Sequence, residues 1–173
     1  MALTVAPDFT DGILTASKLQ QLSDAINERT PLNAIKSADE SLTSDTALQN
    51  DNELTLSLAA NAVYGFLMLI RYDATAASDI KTQLSLPASA TAFYNADGVP
   101  TAGTAFSLFN ATEATLFAFE GAGAGTIRNI NFVGHITTDS TAGSAVLQWA
   151  QNVSGGTATI VKAGSRFTAW RMS

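Results

Sequence analysis

Apolar and polar residues alternate along most of this chain. In "NELTLSL", residues 52–58, Leu54, Leu56 and Leu58 share one phase and Glu53, Thr55 and Ser57 the other. That is the period-two signature of a half-buried strand. "VYGFLMLIRY", residues 63–72, is apolar in both phases: Val63, Leu67 and Leu69 on one side, Tyr64, Phe66, Met68 and Ile70 on the other. Such a strand is covered on both faces, by a second sheet, by a helix or by another subunit. Further strands are predicted over 80–86, 115–120, 126–137, 144–152, 157–163 and 166–172. "SGG" reads as a hairpin turn between 144–152 and 157–163, and "GAGAG" (121–125) as a hairpin loop between 115–120 and 126–137. The stretch 88–114 reads as irregular, with turn residues throughout 95–104. On the order of ten short strands with turns between them predict a mainly β fold, an antiparallel β-sandwich of jelly-roll type.

Only the N-terminal part departs from this period. "TASKLQQLSDAINER", residues 15–29, is rich in helix formers, opens on a Thr suited to capping and stops before Pro31. Leu19, Leu22 and Ile26 lie at a 3-then-4 spacing, a narrow seam rather than a broad face. A helix of ~15 residues is marginal alone in water, so the seam packs either on the chain's own β domain or on copies of itself around a symmetry axis. Before the helix, Leu3, Val5 and Phe9 alternate along an extended arm. The expected division is an arm and helix over 1–33 and a β domain over 34–173.

Composition narrows the function. Of 173 residues, 46% are hydrophobic, enough for a core, while 14% are charged against a typical ~25%. The net charge of −6 and nine scattered basic residues offer no basic stripe for phosphates, so no nucleic-acid partner is expected. No cysteine is present, which excludes disulfides and thiolate metal sites. The opening "MALTVAPDF" lacks the features of a secretory signal, and the apolar run 59–70 is too short to span a bilayer. No membrane span is expected.

Catalytic signals are weak. "GAGAG" precedes a period-two segment, not the helix N-terminus that a dinucleotide loop requires. His135, the single histidine, falls in the polar phase of its strand with Asn129 and Asn131, and no Gly-x-Ser-x-Gly elbow accompanies it. Asp39–Glu40 and Asp51 with Glu53 read as solvated turn residues rather than an acid/base pair. Residues 44–53 lack the glycine of an EF-hand loop, leaving at most an incidental Ca²⁺ site. Trp149 shares a phase with Leu147 and reads as core; Trp170 points the other way from Phe167 and reads as an oligomer anchor. No catalytic residue, cofactor or metal ligand is expected, and an enzyme is not.

Several separated motifs carry a resemblance. They are Leu48-Gln49-Asn50-Asp51, the Leu54/Leu56/Leu58 strand, the tyrosine-bearing apolar strand after it, and Leu147-Gln148-Trp149-Ala150-Gln151-Asn152. Thr157-Ala158-Thr159 and Lys162-Ala163-Gly164-Ser165 complete them. Over most of 36–173 the chain resembles a β module of virion proteins from tailed bacteriophages, especially those of actinobacteria. The segment 88–114 and the ending Trp170-Arg171-Met172-Ser173 depart from the pattern. The resemblance implies a virion structural protein and no reaction. A short arm and helix before a compact β head suits a capsid decoration protein or short head fibre, trimeric and seated on the major capsid protein. The alternative is a tail-associated protein that recognises host cell-surface glycan. On this reading Leu19, Leu22, Ile26, Tyr64, Phe66, Met68 and Trp170 form the homotrimer interface, and Leu3, Val5 and Phe9 attach the chain to the capsid surface of the virion.

Overall fold

The computed structural model describes residues 7–8, 14–101 and 107–173. Helix α1 spans Ala16–Arg29, and the Thr15 hydroxyl accepts the Lys18 N–H at its start. Thr30 leaves the helix in extended conformation, as a residue before proline must. Twelve strands follow among the described residues: β1 (Leu32–Ile35), β2 (Glu40–Leu42), β3 (Gln49–Leu58), β4 (Val63–Asp73), β5 (Ile80–Ser85), β6 (Thr91–Gly98), β7 (Ser107–Thr112), β8 (Phe117–Phe119), β9 (Ile127–Thr137), β10 (Gly143–Gln151), β11 (Thr159–Val161) and β12 (Arg166–Arg171).

They form two antiparallel sheets packed as a β-sandwich. The larger runs β1-β12-β4-β9-β6-β7, with β11 pairing the far end of β4 and β2 pairing β11. The smaller runs β3-β10-β5-β8. The predicted alternation of β3 holds, with Leu54, Leu56 and Leu58 buried. From β4, Tyr64, Phe66, Met68, Ile70 and Tyr72 turn into the same core, joined by Phe132 and Ile136 of β9, Tyr94 of β6 and Phe167 of β12. Leu147 and Trp149 of β10, Ile80 and Leu84 of β5, and Phe117 and Phe119 of β8 belong to it as well. Phe66 meets Tyr94 and Phe167 edge-on, each at 5.8 Å between ring centres, a geometry that favours aromatic pairs beyond simple burial.

Four sequence expectations change. The segment 88–114 contains β6 and β7. In β6 the inward phase is Ala92, Tyr94, Ala96 and Gly98, so small residues and an Asn-Ala-Asp-Gly run imitate a turn. They fit because aromatic rings occupy the space: a Cβ on Gly98 would stand 2.6 Å from the Phe119 ring. The two expected hairpins are not hairpins. Strand β10 pairs β3 and β5, while β11 pairs β2 and β4 in the other sheet. Likewise β8 pairs β5 and β9 pairs β4 and β6. Both loops cross between layers. Periodicity identifies a strand but not its sheet. Finally, β1 pairs β12 across Leu32–Ile35, so the sandwich begins before the expected boundary at residue 34.

Gly134 marks a point of close approach between β9 and β6. A Cβ there would lie 2.3 Å from the Phe93 carbonyl oxygen and 2.5 Å from the Tyr94 Cα. Backbone cannot yield as a side-chain end does. Gly134→Ala is expected to destabilise the domain by about 1–3 kcal/mol, as overpacking does. Thermal denaturation checks it: a chain of this size loses roughly 2–4 °C per kcal/mol, and an unchanged melting temperature contradicts the packing described.

Candidate functional site: an apolar outer face and a buried lysine

The outward phase of the larger sheet is unusual. Phe93, His135, Gly65 and Trp170 are register partners across β6, β9, β4 and β12, and so form one row. Phe93 and Trp170 are 53% and 42% exposed. The Phe93 and His135 rings lie 6.1 Å apart. Gly65 leaves a hollow that the Trp170 indole fills: an added Cβ would meet the ring at 2.6 Å. The next row holds Asn95, Val133, Leu67 and Thr168, with Val133 exposed and Leu67 half-buried. Beyond it lie Asp97, Asn131, Leu69, Arg166 and the exposed Ile35. Phe93, Val133, Trp170 and Ile35 thus expose apolar side chains on one face of the sheet. Their polar companions are the amides of Asn95 and Asn131, the Thr168 hydroxyl, His135, Asp97 and Arg166.

Helix α1 offers a second such surface. Ala25 is buried and Leu22 half-buried, while Leu19 and Ile26 remain 49% and 56% exposed. One side of the seam rests on the chain and the other faces outward. Where the helix ends, Arg171 of β12 and Glu28 approach to 3.5 Å. They flank a cleft of about 290 Å³ that Leu32 and Tyr64 also line.

Of the residues assigned to a subunit interface, Leu19, Ile26 and Trp170 are exposed as that role needs. Tyr64, Phe66 and Met68 are corrected: at 4%, 0% and 0% exposure they face the chain's own core, and the smaller sheet supplies the cover that β4 required. Leu3, Val5 and Phe9 lie outside the described residues. His135 is exposed on the outer face as expected.

Of the acidic residues assigned to solvated turns, Asp39 is exposed as expected, but Glu40, Asp51 and Glu53 are corrected. These three surround Lys36, which sequence reading passed over because a single lysine beside a turn gives no signal of burial. Its backbone is locked to the β11–β12 turn: Lys36 N donates to Ser165 O and Gly164 N to Lys36 O, both at 2.8 Å. Its side chain is 1% exposed, and Nζ stands 2.6 Å from Glu40 Oε2 and 3.0 Å from each Asp51 oxygen. Glu53 Oε2 is farther, at 3.8 Å. Asp51 is itself buried; its Oδ1 accepts the N–H groups of Glu53 and Leu54 at 3.0 and 2.8 Å. Asp51 Oδ2 accepts no hydrogen bond. Burial alone would push the Lys36 ammonium down. The hydrogen bonds to Glu40 and Asp51, with the charges of both, more than offset it and hold the pKa above the ordinary lysine value.

Other carboxylates fasten loops. Asp39 pairs with Lys162 and accepts the Ala163 N–H. Asp79 accepts from Gly121 and Asp73 from Gly125, tying down both ends of the "GAGAG" crossing. Among the described residues no group of three or more His, Cys, Asp or Glu side chains is arranged to hold a metal ion, and no helix is long and apolar enough to cross a membrane.

No family model matches the chain, and no curated protein matches it significantly. Solved structures with a partial likeness are from virus particles. One is the VP2 subviral particle of infectious bursal disease virus, at 10% identity and a TM-score of 0.26 over 82% of this chain and 40% of that one. Another is the Gt strain of the same virus, at 8% identity and a TM-score of 0.24 over 84% of this chain and 43% of that one. The chain thus spans about two fifths of these proteins' length. Superpositions this distant carry no argument about what the chain does.

Glu53 gives a test of the charged corner. Its carboxylate accepts the Ser37 hydroxyl and the Ser37 N–H, which hold its pKa below the ordinary 4.5. The stabilisation it provides is therefore complete above pH 4.5 and lost as pH falls through the lower folded value. NMR titration is expected to place Glu53 below the ordinary glutamate range. Ser37→Ala should raise it; no movement in the variant contradicts the assignment.

Proposed function

We propose that this chain is a structural protein of a tailed-phage virion, a capsid decoration protein or short head fibre that assembles as a homotrimer on the major capsid protein and performs no catalysis. The observation that carries the reading is the placement of apolar surface. One side of the α1 seam and the outer face of the larger sheet are left for a partner, while the motifs shared with phage virion modules build the sandwich. Identical copies bury such surfaces through one repeated contact under closed symmetry. Leu19, Ile26 and Trp170, extended now by Phe93 and Val133, form the subunit contacts in this reading, and the arm with Leu3, Val5 and Phe9 attaches the trimer.

Multi-angle light scattering tests the assembly. The native protein is expected at three times the 18.0 kDa chain mass, and Leu19→Asp with Ile26→Asp at a fraction of it with the β-sheet circular dichroism kept. A folded native monomer at micromolar concentration contradicts the proposal.

The arm is tested separately. An extended segment adds a strand to a neighbour's sheet edge without a pocket. Deleting residues 1–9 is expected to leave the sandwich folded and to abolish incorporation into virions; normal incorporation sinks the attachment role.

A second reading has one observation in its favour. The Phe93–His135–Trp170 row, bordered by Asn33, Asn95 and Asn131, combines aromatic faces with amides, the chemistry that holds sugar rings. On this reading the chain is tail-associated and that outer face binds host cell-surface glycan.

A further inference from the structure

Lys36 and Asp51 form an ion pair sealed from solvent. Nζ is 3.0 Å from Oδ1 and 3.0 Å from Oδ2, so it approaches between the two oxygens with the carboxyl carbon as the next atom beyond them, and amine and carboxyl group are held together without a binding step. The two oxygens are not equivalent. Oδ1 receives two backbone N–H groups, from Glu53 and Leu54, the arrangement that stabilises a developing oxyanion. Oδ2 is buried, touches only the ammonium among charged groups and accepts no hydrogen bond, which leaves it free to depart. Glu40 Oε2, 2.6 Å from Nζ on a side chain 13% exposed, is within reach to carry a proton. Lys36 and Asp51 side chains are 1% and 0% exposed, so water is kept from the pair.

We propose that Lys36 and Asp51 join through an intramolecular isopeptide bond, with Glu40 as the proton carrier. Glu40 takes a proton from the Lys36 ammonium and passes it to Asp51 Oδ2, leaving a neutral amine beside a neutral carboxyl group. Nζ then attacks Asp51 Cγ, and the one negative charge of the tetrahedral intermediate rests on Oδ1, under the two N–H groups. A second proton passes from nitrogen through Glu40 to Oδ2. The Cγ–Oδ2 bond breaks, Oδ2 leaves as water, and Glu40 returns to its carboxylate. Ammonium plus carboxylate become amide plus water, with no oxidant, reductant or outside reactant. Two buried charges disappear, which desolvation favours. Glu40 keeps its charge at the edge, held by the Asn52 N–H and the Gln49 amide.

The bond would tie the two layers together. Lys36 follows β1 of the larger sheet and Asp51 sits in β3 of the smaller. The link lies where the chain enters the sandwich from α1, so it bears any pull applied through the helix. The inference stands on its own, whatever assembly the chain joins.

Mass spectrometry of the full-length protein, purified folded and then denatured, decides it. The native chain is expected to weigh one water less than its sequence. Trypsin should fail to cut after Lys36 and release residues 30–71 as a single cross-linked piece. In Asp51→Asn the same attack expels ammonia, so the variant should end at the mass of the native protein. Lys36→Arg should retain its full sequence mass; a water lost there as well places the dehydration elsewhere and overturns the proposal. Glu40→Gln should fold and keep its full mass, and loss of water in it would remove Glu40 from the proton route. A native chain at its full sequence mass, cut normally after Lys36, overturns the bond outright.

Discussion

Strand β4 lies inside the larger sheet and presses Tyr64, Phe66, Met68, Ile70 and Tyr72 onto the smaller one. Every one of those side chains is essentially removed from water, and burial of a large apolar side chain is worth about 1.5–3 kcal/mol. The rest of the chain is arranged around that row. The leucines of β3 and the Leu147/Trp149 pair of β10 belong to the opposing layer. Glycines sit where layers or strands approach too closely for a side chain, as at Gly98 under Phe119 and Gly134 under β6. The sandwich thus satisfies its own core, which moves the question of partners to the surfaces left over.

Those surfaces are the outward side of α1 and the outer face of the larger sheet. Neither is needed for the chain's own core. The Trp170 indole shows how the outer face is kept flat: it lies in the hollow over Gly65 rather than standing up from the sheet. Exposed aromatic side chains such as Phe93 and Trp170 are the residue types enriched at the cores of protein interfaces. Apart from Asp97 and Arg166 on that face, charged groups gather around Lys36 and in the ties of Asp39, Asp73 and Asp79, where they fix loops and join layers.

Much of the architecture was legible because it depends on local period. The helix from Thr15 to Pro31, the β3 alternation, the doubly apolar β4 and the outward Trp170 all follow from residue order. What was not legible depends on contacts distant along the chain. Strand β6 hid behind small residues that only the Phe119 ring explains. The loops after β8 and β10 looked like hairpin turns because sequence period gives no sheet membership. Tyr64, Phe66 and Met68 were assigned to a partner subunit because an apolar face does not say whose atoms cover it. Lys36 was missed because its three carboxylates come from β2 and β3 and meet only in the fold; the one hint was a pair of acidic clusters close together in a chain otherwise poor in charge.

The central claim is that the chain is built into a phage particle as a repeated structural subunit. Its copy number in purified virions that carry the gene tests this most directly, by quantitative mass spectrometry against the major capsid protein. The account predicts a fixed, high ratio to the capsid protein and a total divisible by three. Absence from purified particles would contradict it; a few copies tracking the tail proteins instead would move the chain to the tail and to the glycan-binding reading.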